Sequence, residues 1–153
     1  MNDMPSPQNG LVLIAYDGSE LARDAAAEAG RQIGPGREAL VLTVWQPFDV
    51  GFVTPRKLSL DAREAADVKG AAEQVATDGA SLADAAGFKA RGIATEAAPS
   101  WSGIVKVADA HDASLIVLGH HSRTGLTGVL IGSVAAAVAN HSQRTVLIVH
   151  RRD

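Results

Sequence analysis

Four short runs of Val, Leu and Ile, at 11–15 (LVLIA), 39–44 (ALVLTV), 115–118 (LIVL) and 145–149 (TVLIV), constrain this chain more than anything else in it. A strand with one face in water alternates apolar and polar side chains, because successive residues point to opposite faces. These runs do not alternate. Both faces of each strand must then be covered, which is the condition of a parallel sheet held between helices. A weaker fifth run, 93–97 (IATEA), follows Gly92 and stops short of Pro99.

The segments between the runs carry the helical period. Ser19 caps a predicted helix that continues to about Ile33, with Leu21, Ala22, Ala25, Ala26 and Ala29 inward and Arg23, Asp24 and Glu28 outward. Gly34-Pro35-Gly36 ends it. Over 60–86, small and apolar residues recur in steps of three and four at Ala65, Val68, Ala72, Val75, Gly79, Leu82 and Ala86, which predicts one long helix. A third helix, capped by Ser100 or Ser102, carries Ile104, Val105 and Ala108; a short fourth runs from Ser133 to about Asn140. Residues 48–57, flanked and interrupted by Pro47 and Pro55, are expected to form an exposed irregular loop. The alternation of strand and helix predicts a doubly wound α/β fold with parallel strands and right-handed crossovers.

Composition narrows the partners. At 153 residues, with 46% hydrophobic and 20% charged, the chain has the size and balance of one soluble globular domain. Residues 1–9 read as a disordered lead and 10–153 as the domain. Aromatic content is 4%, so the core must be built from Ala, Val, Leu and Ile. A net charge of −3 provides no basic footprint for nucleic acid or for an anionic membrane. The absence of cysteine excludes disulfides, thiolate chemistry and Cys-based metal centres. No apolar run approaches the ~20 residues of a membrane span. The first residues lack the basic and apolar regions of a signal peptide, so the expected location is the cytoplasm.

In an open α/β sheet, ligands bind beyond the carboxyl ends of the strands, where the strand order reverses. Asp17 follows the first strand in Ala15-Tyr16-Asp17-Gly18-Ser19, and Gly119 follows the fourth. If those strands are neighbours, Asp17 faces the residues after Gly119 across a crevice; the other reading is that it shapes the turn or helps cap the first helix. The connection from Gly119 to Gly132, with glycines also at 125 and 128, is long for a compact domain, and such loops tend to be functional. Gly132-Ser133 opening a helix adds oriented backbone N–H donors and a hydroxyl, as phosphate oxygens require. Arg123 either pairs with a phosphate or is simply solvated. His120 and His121 are adjacent, point apart on an extended chain, and have no third ligand at metal spacing. No G-x-S-x-G elbow surrounds Ser122, which argues against a Ser–His–Asp hydrolase. Neither G-x4-G-K-[S/T] nor G-x-G-x-x-G is present, which removes the P-loop and dinucleotide alternatives. His111, His141 and His150 read as ordinary surface or near-surface residues. Trp45 and Trp101 read as core or edge-of-core anchors, adenine stacking being the lesser reading.

The spacing Gly119-x-x-Ser122, nine residues, then Gly132-Ser133 resembles the phosphate-loop signature of the universal stress protein family, G-x2-G-x9-G-[S/T], with Ser122 in place of the second glycine. The likeness runs from Leu11 to Arg151. It takes in Asp17-Gly18-Ser19 after the first strand, Leu42-Thr43-Val44 ending the second, Ile116-Val117-Leu118-Gly119, and the closing strand at 145–149. The resemblance implies a five-stranded parallel sheet of order 3-2-1-4-5 and a protein that binds ATP without evident catalysis. It implies that Ala15 and Asp17 lie near the nucleotide and that Val44 contacts the adenine through its backbone. Gly119, His120, Ser122, Arg123, Gly132, Ser133 and Val134 would surround the ribose and phosphates. A Mg2+ ion between the phosphates and Asp17 belongs to the same picture. So does a homodimer through the last strand, whose apolar edge would be a liability if left bare. The function implied is a nucleotide-dependent regulator or interaction module of the stress response. A nucleotide-free dimer of the family's A type and a slow ATPase are the alternatives.

Overall fold

The computed structural model describes residues 10–46, 62–120 and 132–151. The lead at 1–9, the irregular stretch at 48–57, and residues 121–131 with Ser122 and Arg123 lie outside the described residues. The chain runs β1 (Val12–Ala15), α1 (Glu20–Ile33), β2 (Glu38–Trp45), α2 (Ala62–Ala85), β3 (Lys89–Glu96), α3 (Ser100–Ala110), β4 (Leu115–Gly119), α4 (Ser133–His141) and β5 (Thr145–Val149). Every pairing is parallel and the order is β3-β2-β1-β4-β5, the five-stranded doubly wound sheet expected. Among the described residues, no helix is long and apolar enough to cross a membrane.

Side chains alternate across the sheet, so each inner strand feeds two cores at once. Val12, Ile14, Val41 and Val117 pack with Ala25, Ala26 and Ala29 of α1 and with Ala80 and Ala83 of α2. Leu13, Leu40, Leu42, Ile116 and Leu118 pack with Ile104 and Ala108 of α3 and with Ala135 and Val138 of α4. Covering on both faces is why β1, β2 and β4 read as unbroken apolar runs.

The structure differs from the sequence expectations at four places. First, the buried face of α2 is Ala72, Ala76, Gly79, Ala80 and Ala83, whereas Leu82, expected inward, is 38% exposed. Clearance explains it. A Cβ at Gly92 of β3 would lie 2.5 Å from the Ala76 carbonyl oxygen, and one at Gly79 would lie 2.5 Å from Cδ1 of Tyr16. The seam admits hydrogens and methyl groups, and leucine is turned outward. Second, β3 begins at Lys89 rather than near Ile93, pairing with β2 from Glu38↔Lys89 to Trp45↔Glu96. It is an edge strand with Lys89, Arg91 and Glu96 exposed, so it needs no apolar run.

Third, Pro99 is the N-cap of α3, not Ser100 or Ser102. The Ser102 N–H donates to the Pro99 carbonyl at 3.1 Å. Ser100 lies inside the helix, and its hydroxyl accepts from Gln46 Nε2 at 3.2 Å, tying α3 to the end of β2. Fourth, α4 extends one residue further, to His141. The opposite edge of the sheet is β5, where Val146, Leu147 and Ile148 are half-buried and no charged side chain interrupts the strand. Just before it, Arg144 donates to Asp109 Oδ1 at 2.8 Å, Asp112 Oδ1 at 3.0 Å and the Ala113 carbonyl at 2.6 Å, clasping the end of α3. Asp109 first, then Asp112, holds the guanidinium pKa above its ordinary value.

Candidate functional site

The strand order reverses between β1 and β4. From β1 the chain crosses through α1 to β2 on one side, and β4 pairs on the other. The register Val12↔Leu115, Leu13↔Ile116, Ile14↔Val117 brings the chain leaving β1 at Tyr16-Asp17 alongside the chain leaving β4 at Gly119-His120. This is the position where an open α/β sheet binds ligands. Asp17 and Gly119, 102 positions apart in the chain, thus leave neighbouring strands side by side at the carboxyl edge of the sheet.

The Asp17 side of the crevice is built by local turn chemistry. Gly18 takes φ +82°, a conformation that a side chain would strain. Asp17 is exposed, and its Oδ1 accepts from the Ser19 N–H at 2.9 Å. The Ser19 hydroxyl in turn accepts from the Ala22 N–H at 3.2 Å, so Ser19 is the N-cap of α1 as expected. The bonds show Asp17 shaping the turn; most of the loop it is expected to face, residues 121–131, lies outside the described residues. Ala15 is half-buried and pairs with Leu42; Val44 lies two residues further toward the carboxyl end of β2, also half-buried.

Tyr16 was not singled out in the sequence, yet it anchors this wall. It is 4% exposed, its N–H donates to the Leu42 carbonyl at 2.9 Å, and its carbonyl accepts from Thr43 Oγ1 at 2.8 Å. The signal available was Gly79. A glycine within a helix costs about 1 kcal/mol relative to alanine, so one in the inward stripe needs a packing reason. The Tyr16 ring is that reason.

On the β4 side, Gly119 has a structural cause of its own. A Cβ there would sit 3.1 Å from the Leu21 carbonyl oxygen in the first turn of α1, tighter than ordinary contact. His120 is buried to 9% exposure, its N–H donates to the Val149 carbonyl at 2.8 Å, and its ring stacks on His150. His150 had read as an ordinary surface or near-surface residue; it is exposed, but it has this partner. His141 likewise stacks on Trp101, with ring centroids 4.2 Å apart.

α4 returns the chain from the carboxyl end of β4 to the amino end of β5, so its N-terminus lies at the carboxyl edge of the sheet. Gly132 is its N-cap and contributes no side-chain cap, while Ser133 and Val134 are exposed in the first turn. Unpaired N–H groups of a first helical turn attract anions. Of the residues expected around a nucleotide, the described ones are Ala15, Asp17, Val44, Gly119, His120, Gly132, Ser133 and Val134. Among the described residues no group of three His, Cys, Asp or Glu forms a metal site. A shallow cavity of about 410 Å³, lined in part by Glu38, Asp84, Lys89 and Arg91, lies at the amino ends of β2 and β3, away from this crevice.

Known proteins resemble this chain in sequence and fold. The model of the universal stress protein family matches residues 10–150. Universal stress protein Rv2005c of Mycobacterium tuberculosis (strain ATCC 25618 / H37Rv) is 33% identical, over 97% of this chain and 48% of that protein. The chain spans about half the length of the curated relatives it matches. A universal stress protein solved in complex with cAMP is 28% identical with a TM-score of 0.65, covering 93% of this chain and 97% of that one. MJ0577 of Methanocaldococcus jannaschii superimposes with a TM-score of 0.74 over 95% of this chain and 99% of that one, at 23% identity, a likeness of fold.

Proposed function

The chain belongs to the universal stress protein family, and from that premise we propose that it binds ATP in the crevice at the carboxyl ends of β1 and β4. The observation that carries the proposal is the pairing of β1 with β4 at the reversal of strand order, which sets Asp17 beside Gly119-His120. In this reading Ala15 and the Val44 backbone border the adenine. Gly119, His120, Ser122, Arg123 and the Gly132-Ser133-Val134 turn receive the ribose and phosphates. The start of α4 suits an anion, because Gly132 at its N-cap has no side-chain acceptor to compete for the first-turn N–H groups. Mg2+ would bridge the phosphates to Asp17 and offset their charge.

Nucleotide contact with the connection between β4 and α4 would alter a surface that a partner reads, which makes the protein a regulator or interaction module. A second copy pairing along β5 is part of the same proposal. Of the two sheet edges, β3 carries Lys89, Arg91 and Glu96, devices that discourage pairing, whereas β5 carries none. A second reading, cyclic AMP in the same crevice, is favoured by the relative solved in complex with cAMP.

Equilibrium dialysis of nucleotide-stripped protein against ATP and against cAMP separates the two. The proposal expects retention of ATP, strengthened by Mg2+ and lost in Gly132→Val. Retention of cAMP alone moves the assignment to the second reading, and retention of neither refutes both.

A further inference from the structure

The pairing of β1 with β2 stops earlier than its register allows. The pairs from Val12↔Ala39 to Ala15↔Leu42 would set Tyr16 opposite Thr43 next. Closing that pair takes two backbone bonds from Tyr16, one to each neighbour of Thr43. The first forms: Tyr16 N–H donates to the Leu42 carbonyl at 2.9 Å. The second would run from Val44 N–H to the Tyr16 carbonyl, and it is not made; that carbonyl accepts from Thr43 Oγ1 at 2.8 Å instead. The chain leaving β1 then turns away through Gly18, at φ +82°, while β2 stays paired with β3 as far as Trp45↔Glu96. Val44, like Leu42 two residues before it, turns its N–H and carbonyl toward β1. No backbone group among the described residues pairs with them there. Thr43 is buried in an otherwise apolar run, where a hydroxyl is costly unless it is bonded. Its bond is the one that ends the ladder.

We propose that Thr43 is a positioning residue that fits the site to adenine. By occupying the Tyr16 carbonyl, its hydroxyl keeps the Val44 N–H and carbonyl open, a donor beside an acceptor. Adenine presents the complement, a ring nitrogen beside the N6 amino group. Guanine sets its O6 acceptor where N6 would be, against the Val44 carbonyl. The proposal deepens the ATP reading and rests on it for the presence of the base at Val44. Valine at position 43 keeps the side-chain shape and removes only the hydroxyl. The Tyr16 carbonyl, in a residue 4% exposed, then lacks its partner and takes the Val44 N–H in its place. The ladder gains a bond, and the base loses its donor.

The test uses the intact chain as wild type, Thr43→Val and Thr43→Ser. It measures amide hydrogen exchange at Val44 and Leu42 without nucleotide, and the Kd for Mg-ATP and Mg-GTP by calorimetry. In wild type, the Val44 amide should exchange about tenfold or more faster than the ladder-bonded Leu42 amide. Wild type should also prefer Mg-ATP to Mg-GTP by about tenfold or more. Thr43→Val should slow Val44 exchange by about tenfold and raise the Mg-ATP Kd by about fivefold, the worth of one hydrogen bond, without weakening Mg-GTP. Thr43→Ser keeps the hydroxyl and should stay within about twofold of wild type. A wild-type Val44 amide as protected as Leu42, or one that Thr43→Val leaves unchanged, overturns the proposal without reference to any nucleotide. If wild type binds Mg-ATP and Thr43→Val binds it equally well, or wild type binds Mg-GTP as tightly, the role is overturned while the ATP reading stands. If wild type binds no Mg-ATP, the ATP reading falls and this role with it. A Thr43→Ser variant as weak as Thr43→Val also overturns it, because the hydroxyl would then not be the cause.

Discussion

Gly92→Ala adds one methyl group where β3 and α2 approach most closely. Its Cβ would lie 2.5 Å from the Ala76 carbonyl oxygen, 2.6 Å from the Ala76 carbonyl carbon and 2.9 Å from the Thr77 nitrogen. All three are backbone atoms of a helix, so no side chain can rotate away. Ordinary contact begins near 3.4 Å, which requires strand and helix to part by about 1 Å. A gap of that size forfeits roughly a quarter to a half of the dispersion energy of the facing atoms. Those atoms include the buried methyl groups of Ala76, Ala80 and Ala83. Overpacking typically costs about 1–3 kcal/mol, and a backbone obstacle places this case at about 3 kcal/mol. Alanine restricts the unfolded chain more than glycine, which offsets up to about 1 kcal/mol. The net loss is about 2 kcal/mol, and with a urea slope of about 2 kcal/mol/M the unfolding midpoint falls by about 1 M. Gly70→Ala provides the contrast, since a Cβ there meets nothing within 4 Å; it should raise stability by about 1 kcal/mol. A Gly92→Ala midpoint equal to wild type would refute the account of the seam.

Three further substitutions probe the framework, two beside the crevice and one, at Arg144, at the opposite edge of the sheet. Ser19→Ala removes the acceptor of the Ala22 N–H and should cost about 1 kcal/mol, seen as a melting temperature about 3 °C lower. Gly119→Ala should lose about 1 kcal/mol in urea unfolding even without nucleotide, because its Cβ would press on the Leu21 carbonyl. Arg144→Ala leaves the Ala113 carbonyl without that donor and frees Asp109 and Asp112 from it; since both acids are exposed, the loss should be about 1–2 kcal/mol. The Arg144 pKa is raised in the folded state, so its contribution is fully present below the unfolded value and is lost only as pH rises through the folded one. The difference between Arg144→Ala and wild type that arises from this group should therefore stay level across neutral pH.

What was legible in the sequence follows the number of covered faces. β1, β2 and β4 lie inside the sheet and show as apolar runs, and β5, though an edge, keeps enough apolar contact to show as well. β3 was half hidden because it is an edge strand among the described residues and opens on Lys89, Ala90 and Arg91. The α2 stripe was misread at Leu82 because alanines stand on several adjacent faces of that helix, and only the approach of Gly92 and Tyr16 selects one of them. At the crevice, the placing of Asp17 beside Gly119 came from strand order, a topological rule. The hydrogen bond from Thr43 to Tyr16 and the stack of His150 on His120 join residues 27 and 30 positions apart, and no local pattern encodes such contacts. Pro99 as a helix cap was missed because serine side chains nearby offered the more familiar signal.

Binding of ATP in the crevice between β1 and β4, as proposed, is tested most directly by ligand-linked stability. The nucleotide-stripped chain should be melted in the presence of rising Mg-ATP. At 100 times its dissociation constant a ligand that binds only the folded state adds ~2.7 kcal/mol, or about 6–10 °C for a chain of this size. That shift is expected for wild type, and little of it for Gly132→Val. A wild-type melting temperature that does not move at millimolar Mg-ATP would contradict it.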